Sequence, residues 1–295
     1  MRALDWTRDG GDWPNRTASR FVEAGGLRWH VQVAGDGPVL LLLHGTGAAT
    51  HSWRALLPEL ATRYTVVAPD LPGHGFSGTP ASHRLTLQGI ARALGGLLAA
   101  LKVEPQVVAG HSAGAAIMLR MNIDGLLPAR TLVSLNGAML PLPGLAGLLF
   151  PPAARLLSAL PFAPQAFAWR ATQRDAVERL IRSTGSALDP DGVALYHKLV
   201  STPAHVAGAL AMMANWDVAP LVRDLPSLRA PLTLVVGRGD ETVSPEESRR
   251  VHRMVPGSRL VELESLGHLA HEEAPALAAR HIFEADGRVD TAHHR

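Results

Sequence analysis

Several short runs in this chain are apolar almost throughout and stop at a glycine or a polar turn. They are VLLLL at 39–43 before His44-Gly45, YTVVA at 64–68, QVVA at 106–109, TLVSL at 131–135 and LTLVV at 232–236. A strand with one wet face alternates apolar and polar residues, whereas a continuous apolar run must be covered on both faces. Helical patterns sit between these runs, at 52–62, 85–101, 114–121, 246–254 and 273–284. Alternation of strand and helix predicts a mostly parallel sheet with helices on both sides. SRFVEA at 19–24 and LRWHVQVA at 27–34, joined by Gly25-Gly26, read as a β-hairpin ahead of it. SRLVEL at 258–263 adds a last strand. The expectation is an α/β fold with a sheet of about eight strands.

The alternation fails between 138 and 217, a stretch rich in Pro, Ala and Leu with helical pieces near 152–160, 164–184, 190–200 and 203–215. It reads as a helical cap inserted between two core strands, so that 1–137 and 218–295 form the core and 138–217 the cap. Residues 1–18, largely polar but carrying Trp6 and Trp13, read as an irregular arm.

Composition narrows the chemistry. With 47% apolar and 18% charged residues, 295 residues can bury a sizeable core. The absence of cysteine excludes disulfides, thiolate catalysis, Cys-ligated zinc and iron–sulfur clusters. Lys102 and Lys198 are the only lysines, and the arginines are scattered, so no basic footprint for nucleic acid is present. The opening MRALDWTRDGGDWPN lacks the apolar stretch of a signal peptide, which makes the cytoplasm the expected location. No charged residue lies between Arg130 and Arg155, but Pro141, Pro143, Pro151 and Pro152 break that run. A membrane span is therefore not expected; peripheral membrane contact, or a cover over an apolar ligand, stays open.

The most informative turn is Gly110-His111-Ser112-Ala113-Gly114, directly after the QVVA strand and directly before a helix. A G-x-S-x-G turn in that context reverses the chain within a few residues and exposes the serine hydroxyl at a helix N-terminus, where negative charge is favoured. Alone the pattern is weak in a chain with 28 glycines. A serine also needs a base, and the base an orienting acid. For this architecture the expected chain order is Ser, then Asp or Glu, then His. Asp240 follows the LTLVV strand and His268 follows the last strand, so all three sit at the carboxyl ends of strands. An oxyanion would be held by the backbone N–H of Ala113 and by one from the loop His44-Gly45-Thr46-Gly47, assigned to Thr46. His44 and His74 read as structural, His111 as flanking the serine, and His271 as either site rim or surface. No histidine cluster has metal-ligand spacing, and the 44–47 loop lacks the Lys-Ser/Thr of a phosphate loop, so neither metal nor cofactor is expected. Phe150, Tyr196, Met213 and Trp216, with Met212 and Asn215, are candidate substrate contacts.

The chain resembles the α/β-hydrolase superfamily through LLLLHGTG (40–47), VVAPDLPGHGFS (66–77), VVAGHSAGAA (107–116), LVVGRGDETVSP (234–245) and LGHLAHEEAP (266–275). The resemblance implies Ser112 as nucleophile, Asp240 as acid and His268 as base. Dehalogenase and epoxide-hydrolase relatives use an aspartate nucleophile, so serine at 112 disfavours those activities. A narrower resemblance, carried by DWPNRTASRFVEAGGLRWHVQVAG, GHSAGAAIMLRM and LNGAMLPLPGLAGLLFPPAARLL, is to the magnesium-chelatase accessory hydrolases of phototrophic bacteria. It implies a link to bacteriochlorophyll biosynthesis and to magnesium chelatase.

Three functions follow as expectations. The first is a serine hydrolase acting on a hydrophobic ester-like small molecule, a tetrapyrrole among the candidates. The second is a non-catalytic accessory module that binds a tetrapyrrole or the chelatase on an inherited hydrolase fold. The third, weaker, is cofactor-free haloperoxidase-like or carbon–carbon bond hydrolysis.

Overall fold

The computed structural model describes residues 1–141, 160, 162–171 and 175–287. Its strands are β1 (Ser19–Ala24), β2 (Leu27–Ala34), β3 (Val39–Leu43), β4 (Thr65–Pro69), β5 (Val107–His111), β6 (Thr131–Leu135), β7 (Leu232–Gly237) and β8 (Arg259–Leu263). They form one eight-stranded sheet in the order β1-β2-β4-β3-β5-β6-β7-β8. β2 pairs antiparallel with β1 and β4, and every pairing from β3 to β8 is parallel.

The continuous apolar runs are explained by what lies on each face. Alternate residues of a strand point to opposite sides. Leu41, Leu43, Val108, Leu132 and Leu234 enter one core cluster, with residues of α3 (Leu87–Leu101) and α4 (Ala113–Ile123). Leu40, Leu42, Val107, Val133 and Val235 enter the other, with Trp53, Leu56, Leu57, Leu60, Ala278 and Ile282. Leu40 through Leu43 have no exposed surface, and full burial of each is worth roughly 1.5–3 kcal/mol.

The other α-helices among the described residues are α1 (Trp6–Asp9), α2 (Leu56–Leu60), α5 (Ala163–Ala171), α6 (Ala176–Arg182), α7 (Pro190–Val200), α8 (Pro203–Ala214), α9 (Ala219–Asp224), α10 (Pro245–Met254), α11 (Ala270–Glu273) and α12 (Pro275–Ala285). α5 to α9 all lie between β6 and β7. Two sequence expectations need correction. The pattern at 52–62 is a 3-10 turn at Thr50–Trp53 followed by the single turn α2. The pattern at 273–284 is broken because a residue before proline is pushed out of the helical region. Ala274 stands at φ −136°, ψ 68°, and Pro275 starts a new helix. The N-terminal arm is also less irregular than its composition suggests. Trp13 is buried, its indole N–H donates to Thr50 Oγ1 at 3.0 Å, and Trp6 lies edge-on to Phe21 and Phe76. Among the described residues no helix is long and apolar enough to cross a membrane.

Register sets where the strands end. Leu43, Gly110 and Ser134 lie level across β3, β5 and β6, and His111 lies level with Leu135 and Val235. The residues that follow these strands therefore emerge along one edge of the sheet, where ligands bind in open α/β sheets.

Candidate active site

Ser112 occupies the one residue between β5 and α4, at φ 51°, ψ −118°. A side chain disfavours positive φ, so this conformation is strained, and tight packing enforces it. Ser112 N–H donates to Leu135 O at 3.1 Å, and Ser112 O accepts from Ala115 and Ala138 at 3.1 and 3.0 Å. A Cβ at Gly114 would run into the carbonyl oxygens of Leu43 and His44, and one at Gly110 into the backbone of Gly114. Glycine at both positions is what lets strand and helix approach this closely. His111 and Ala113 are buried, while Ser112 between them is only half-buried. Its hydroxyl thus stands at the N-terminus of an 11-residue helix.

Asp240 and His268 meet next to His111, the residue before the serine, whose ring lies 4.8 Å from that of His268. His268 Nδ1–H donates to Asp240 Oδ2 at 2.8 Å, and both side chains are almost fully buried. Three more donors hold the same carboxylate. Thr242 N–H and Val243 N–H reach Oδ1 at 2.8 Å each, and Asn136 Nδ2–H reaches Oδ2 at 2.8 Å. Asn136 also donates to Gly267 O at 3.2 Å, tying the acid to the turn that carries His268. Because Nδ1 carries the ring proton toward the carboxylate, Nε2 of neutral His268 is the atom left with a lone pair. The backbone of the β6–β7 insertion braces both loops: Thr184 O accepts from Glu241 N–H at 3.2 Å and from His268 N–H at 3.1 Å.

The 44–48 loop lies against the serine. A Cβ on Gly45 would come within 2.9 Å of both Ser112 Cβ and His111 Nδ1. His44 accepts Leu71 N–H on Nε2 at 2.8 Å and donates from Nδ1 to Gly45 O at 2.8 Å. Ala48 N–H closes the turn on Gly45 O at 3.2 Å. Thr46 is half-buried and its hydroxyl donates to Met212 Sδ at 3.6 Å.

Beneath the site lies a buried polar network. His111 Nε2–H donates to His268 O at 2.9 Å, and its ring sits 4.2 Å from that of His271. Burial, reinforced by the neighbouring histidines, holds the His111 pKa well below the usual value, and burial lowers that of His271 to about 3. Both rings therefore stay uncharged near neutrality. His271 is buried, which settles the surface-or-rim alternative against exposure. Its Nε2 bonds Ser52 Oγ at 2.8 Å, and Ser52 Oγ–H donates to Glu272 Oε1 at 2.6 Å. Burial raises the Glu272 pKa against the opposing pull of Arg54, with which it pairs.

Of the candidate substrate contacts, Phe150 lies outside the described residues. The Tyr196 hydroxyl is committed to Glu272 Oε1 at 2.7 Å, and its ring lies edge-on to His51. Trp216 packs on the core cluster around α4, and Met213 is half-buried. An apolar cavity of about 300 Å³ opens within the insertion, lined by Phe167, Val177, Leu180, Val206 and Leu210, and it reaches Gly47 and His205. Sequence reasoning missed Asn136 as a donor to Asp240, although its place directly after β6 put it on the same edge. It also missed His205, a lone imidazole on a helix of Ala, Val, Leu and Met.

The family model for the alpha/beta hydrolase family matches residues 40–281. The chain belongs to the alpha/beta hydrolase family. Among curated relatives of this hydrolase-family chain is the magnesium-chelatase 30 kDa subunit of Rhodobacter capsulatus. The two are 42% identical over 265 residues, covering 89% of this chain and 92% of the relative. Solved structures of the same fold include an alpha/beta hydrolase fold protein from Burkholderia ambifaria, with a TM-score of 0.75, 24% identity, and 90% and 97% of the two chains covered. The enol-lactonase of Burkholderia xenovorans LB400 superposes with a TM-score of 0.74 at 19% identity, over 91% of this chain and all of the lactonase.

Proposed function

We propose that this hydrolase-family protein is a serine hydrolase acting on a hydrophobic ester-like substrate, with Ser112 as nucleophile, His268 as base and Asp240 as orienting acid. The observation that carries the reading is the 2.8 Å bond from His268 Nδ1–H to an Asp240 carboxylate held by three further donors, beside a serine on a strained turn. In the first step Ser112 Oγ attacks the carbonyl carbon while His268 Nε2 takes the hydroxyl proton. The backbone N–H groups of Thr46 and Ala113 hold the oxyanion. Collapse of the tetrahedral adduct breaks the bond to the leaving alcohol, which departs with the proton from His268. Water, deprotonated by the same nitrogen, then releases the acid and restores Ser112. The apolar cavity beside Gly47 favours a hydrophobic acyl or alcohol portion.

Similarity to the magnesium-chelatase 30 kDa subunit favours a role alongside magnesium chelatase in bacteriochlorophyll synthesis, with a tetrapyrrole ester as one substrate of suitable chemistry. The same similarity supports a second reading, in which the fold binds a tetrapyrrole or the chelatase without turnover. A fluorophosphonate probe should label the wild-type protein and spare Ser112→Ala. Absence of labelling in the folded wild type, with Ser112→Ala fully restoring pigment synthesis in a strain lacking the gene, would replace the first reading by the second.

A further inference from the structure

Helix α8 touches the sheet edge with one narrow face. His205, Gly208 and Met212 are spaced i, i+3 and i+7, all three are buried, and each meets a backbone or side-chain group at the strand ends. Met212 Sδ accepts from Thr46 Oγ1. A Cβ at Gly208 would drive into the Gly73 carbonyl, so the helix backbone rests directly on that turn. His205 Nε2 lies 3.0 Å from Gly47 O, and His205 Nδ1 lies 3.1 Å from Gly75 N.

The partners fix the tautomer. Gly75 N–H can only donate, so Nδ1 accepts; Gly47 O can only accept, so Nε2 carries the hydrogen. Burial lowers the His205 pKa to about 4, which keeps the ring in this single-proton form across the neutral range. The 44–48 loop is consequently gripped from two sides. His44 holds Gly45 O from the core, and His205 holds Gly47 O from α8. Between those carbonyls lies Thr46, and Gly47 itself sits at φ 79°.

We propose that His205 is a positioning residue for the oxyanion loop: it fixes the Gly47 carbonyl, and through the intervening peptides it orients the Thr46 N–H toward the charge that develops at Ser112. This rests on the serine-hydrolase reading above. A preorganised donor stabilises the transition state without reorganising during the reaction, whereas a loop that must first be ordered loses part of that gain. The cavity in the insertion is lined by both Gly47 and His205, so a ligand seated there contacts the clamp itself.

The test compares His205→Ala with His205→Gln, whose side-chain amide can donate to Gly47 O but offers no ring. With p-nitrophenyl butyrate, the alanine variant should lose kcat about 10- to 100-fold, below the roughly 10²–10³-fold cost of deleting an oxyanion donor outright. Its KM should change less than its kcat, because His205 is only one residue of the cavity wall whereas its grip on Gly47 acts on the transition state. The glutamine variant should recover most of the kcat. Hydrogen exchange of the 44–49 backbone amides should accelerate in the alanine variant and return toward wild type with glutamine. Equal kcat in the two variants, or unchanged exchange at 44–49 in His205→Ala, overturns the assignment. If the wild type neither turns over the ester nor reacts with fluorophosphonate, the serine-hydrolase reading fails on its own, and unchanged or accelerated exchange still decides whether His205 holds the loop.

Discussion

Replacing Ser112 by glycine separates the stability of this molecule from its chemistry. The serine stands at φ 51°, ψ −118°, outside the regions open to a residue with a Cβ. Holding a non-glycine residue in such a conformation costs about 1–3 kcal/mol. Glycine removes that cost but adds about 0.5–1 kcal/mol of chain entropy to be lost on folding. The proper reference is Ser112→Ala, which deletes the same hydroxyl and keeps the Cβ and hence the strain. Little packing is lost in the glycine variant, because Ser112 is only half-buried and faces the backbone of Gly45. The balance leaves Ser112→Gly more stable than Ser112→Ala by about 1 kcal/mol, the difference of those two costs. At roughly 2–4 °C per kcal/mol for a domain of this size class, the melting temperature should rise by about 3 °C. Scanning calorimetry on both variants, paired with guanidinium midpoints, reads the difference directly. Both variants should be inert to fluorophosphonate. A glycine variant that melts at or below the alanine variant would refute the argument that the turn stores strain.

Asp240→Asn should lower kcat by about 10³–10⁴-fold, the scale seen when a triad acid loses its charge and the histidine its tautomer. The direction follows from the ligands: Thr242 and Val243 N–H pin the oxygen at Oδ1, so the new NH₂ must face the N–H groups of His268 and Asn136. Retention of more than a tenth of the activity would contradict it. Gly208→Ala should destabilise by about 1–3 kcal/mol, the usual cost of overpacking, since its Cβ would meet the Gly73 carbonyl; an unchanged guanidinium midpoint would show that α8 can slide. Acid should weaken the fold below about pH 6.5, where an unfolded histidine begins to take a proton. Burial lowers the pKa of His205 to about 4 and of His271 to about 3, so the unfolded chain binds more protons in that window and stability falls with pH. Together the two cost about 3 kcal/mol between pH 6.5 and 5, each approaching a slope of about 1.4 kcal/mol per unit only once the unfolded histidine is fully protonated. Glu247, raised to about 7 by burial, runs the other way for one group, while His44, His51, His74 and His111 reinforce the trend. Equal denaturation midpoints at pH 7 and 5 would contradict this.

The strands were legible because each announces itself twice, by a continuous apolar run and by the turn that ends it. VLLLL occupies β3 to the residue, and both hairpin strands match their sequence runs. Helix boundaries were less legible wherever proline intervened: Pro275 divides what periodicity joined, because apolar spacing persists across a break that only backbone sterics impose. Ser112, Asp240 and His268 could be picked out since each lies within five residues of the end of a strand, and parallel register then carries all three to one edge. His205 could not. Nothing local distinguishes an imidazole that reaches a loop 158 positions away, and its partner is a carbonyl oxygen, which every residue has. Asn136 fails to stand out for a related reason: its value lies in bonding Asp240 and Gly267 at once, a fact of tertiary geometry.

The insertion between β6 and β7 therefore does more than cover the sheet edge. Thr184 O braces the loops of Asp240 and His268, Ser186 Oγ accepts Leu269 N–H at 2.8 Å, and His205 and Met212 grip the loop of Thr46. Lifting the whole insertion as a rigid lid would break the bonds to the loops of Asp240, His268 and Thr46 together. Substrate must reach the serine without breaking them. Phe162, just before α5, Phe167 in α5 and Leu180 in α6 are exposed, and the latter two line the apolar cavity that reaches Gly47. That cavity is a path for a hydrophobic molecule that leaves these bonds in place. Substitutions at Phe167 or Leu180 should accordingly move KM for long-chain esters while leaving kcat for short ones in place; the reverse pattern would mean that the insertion opens as a unit.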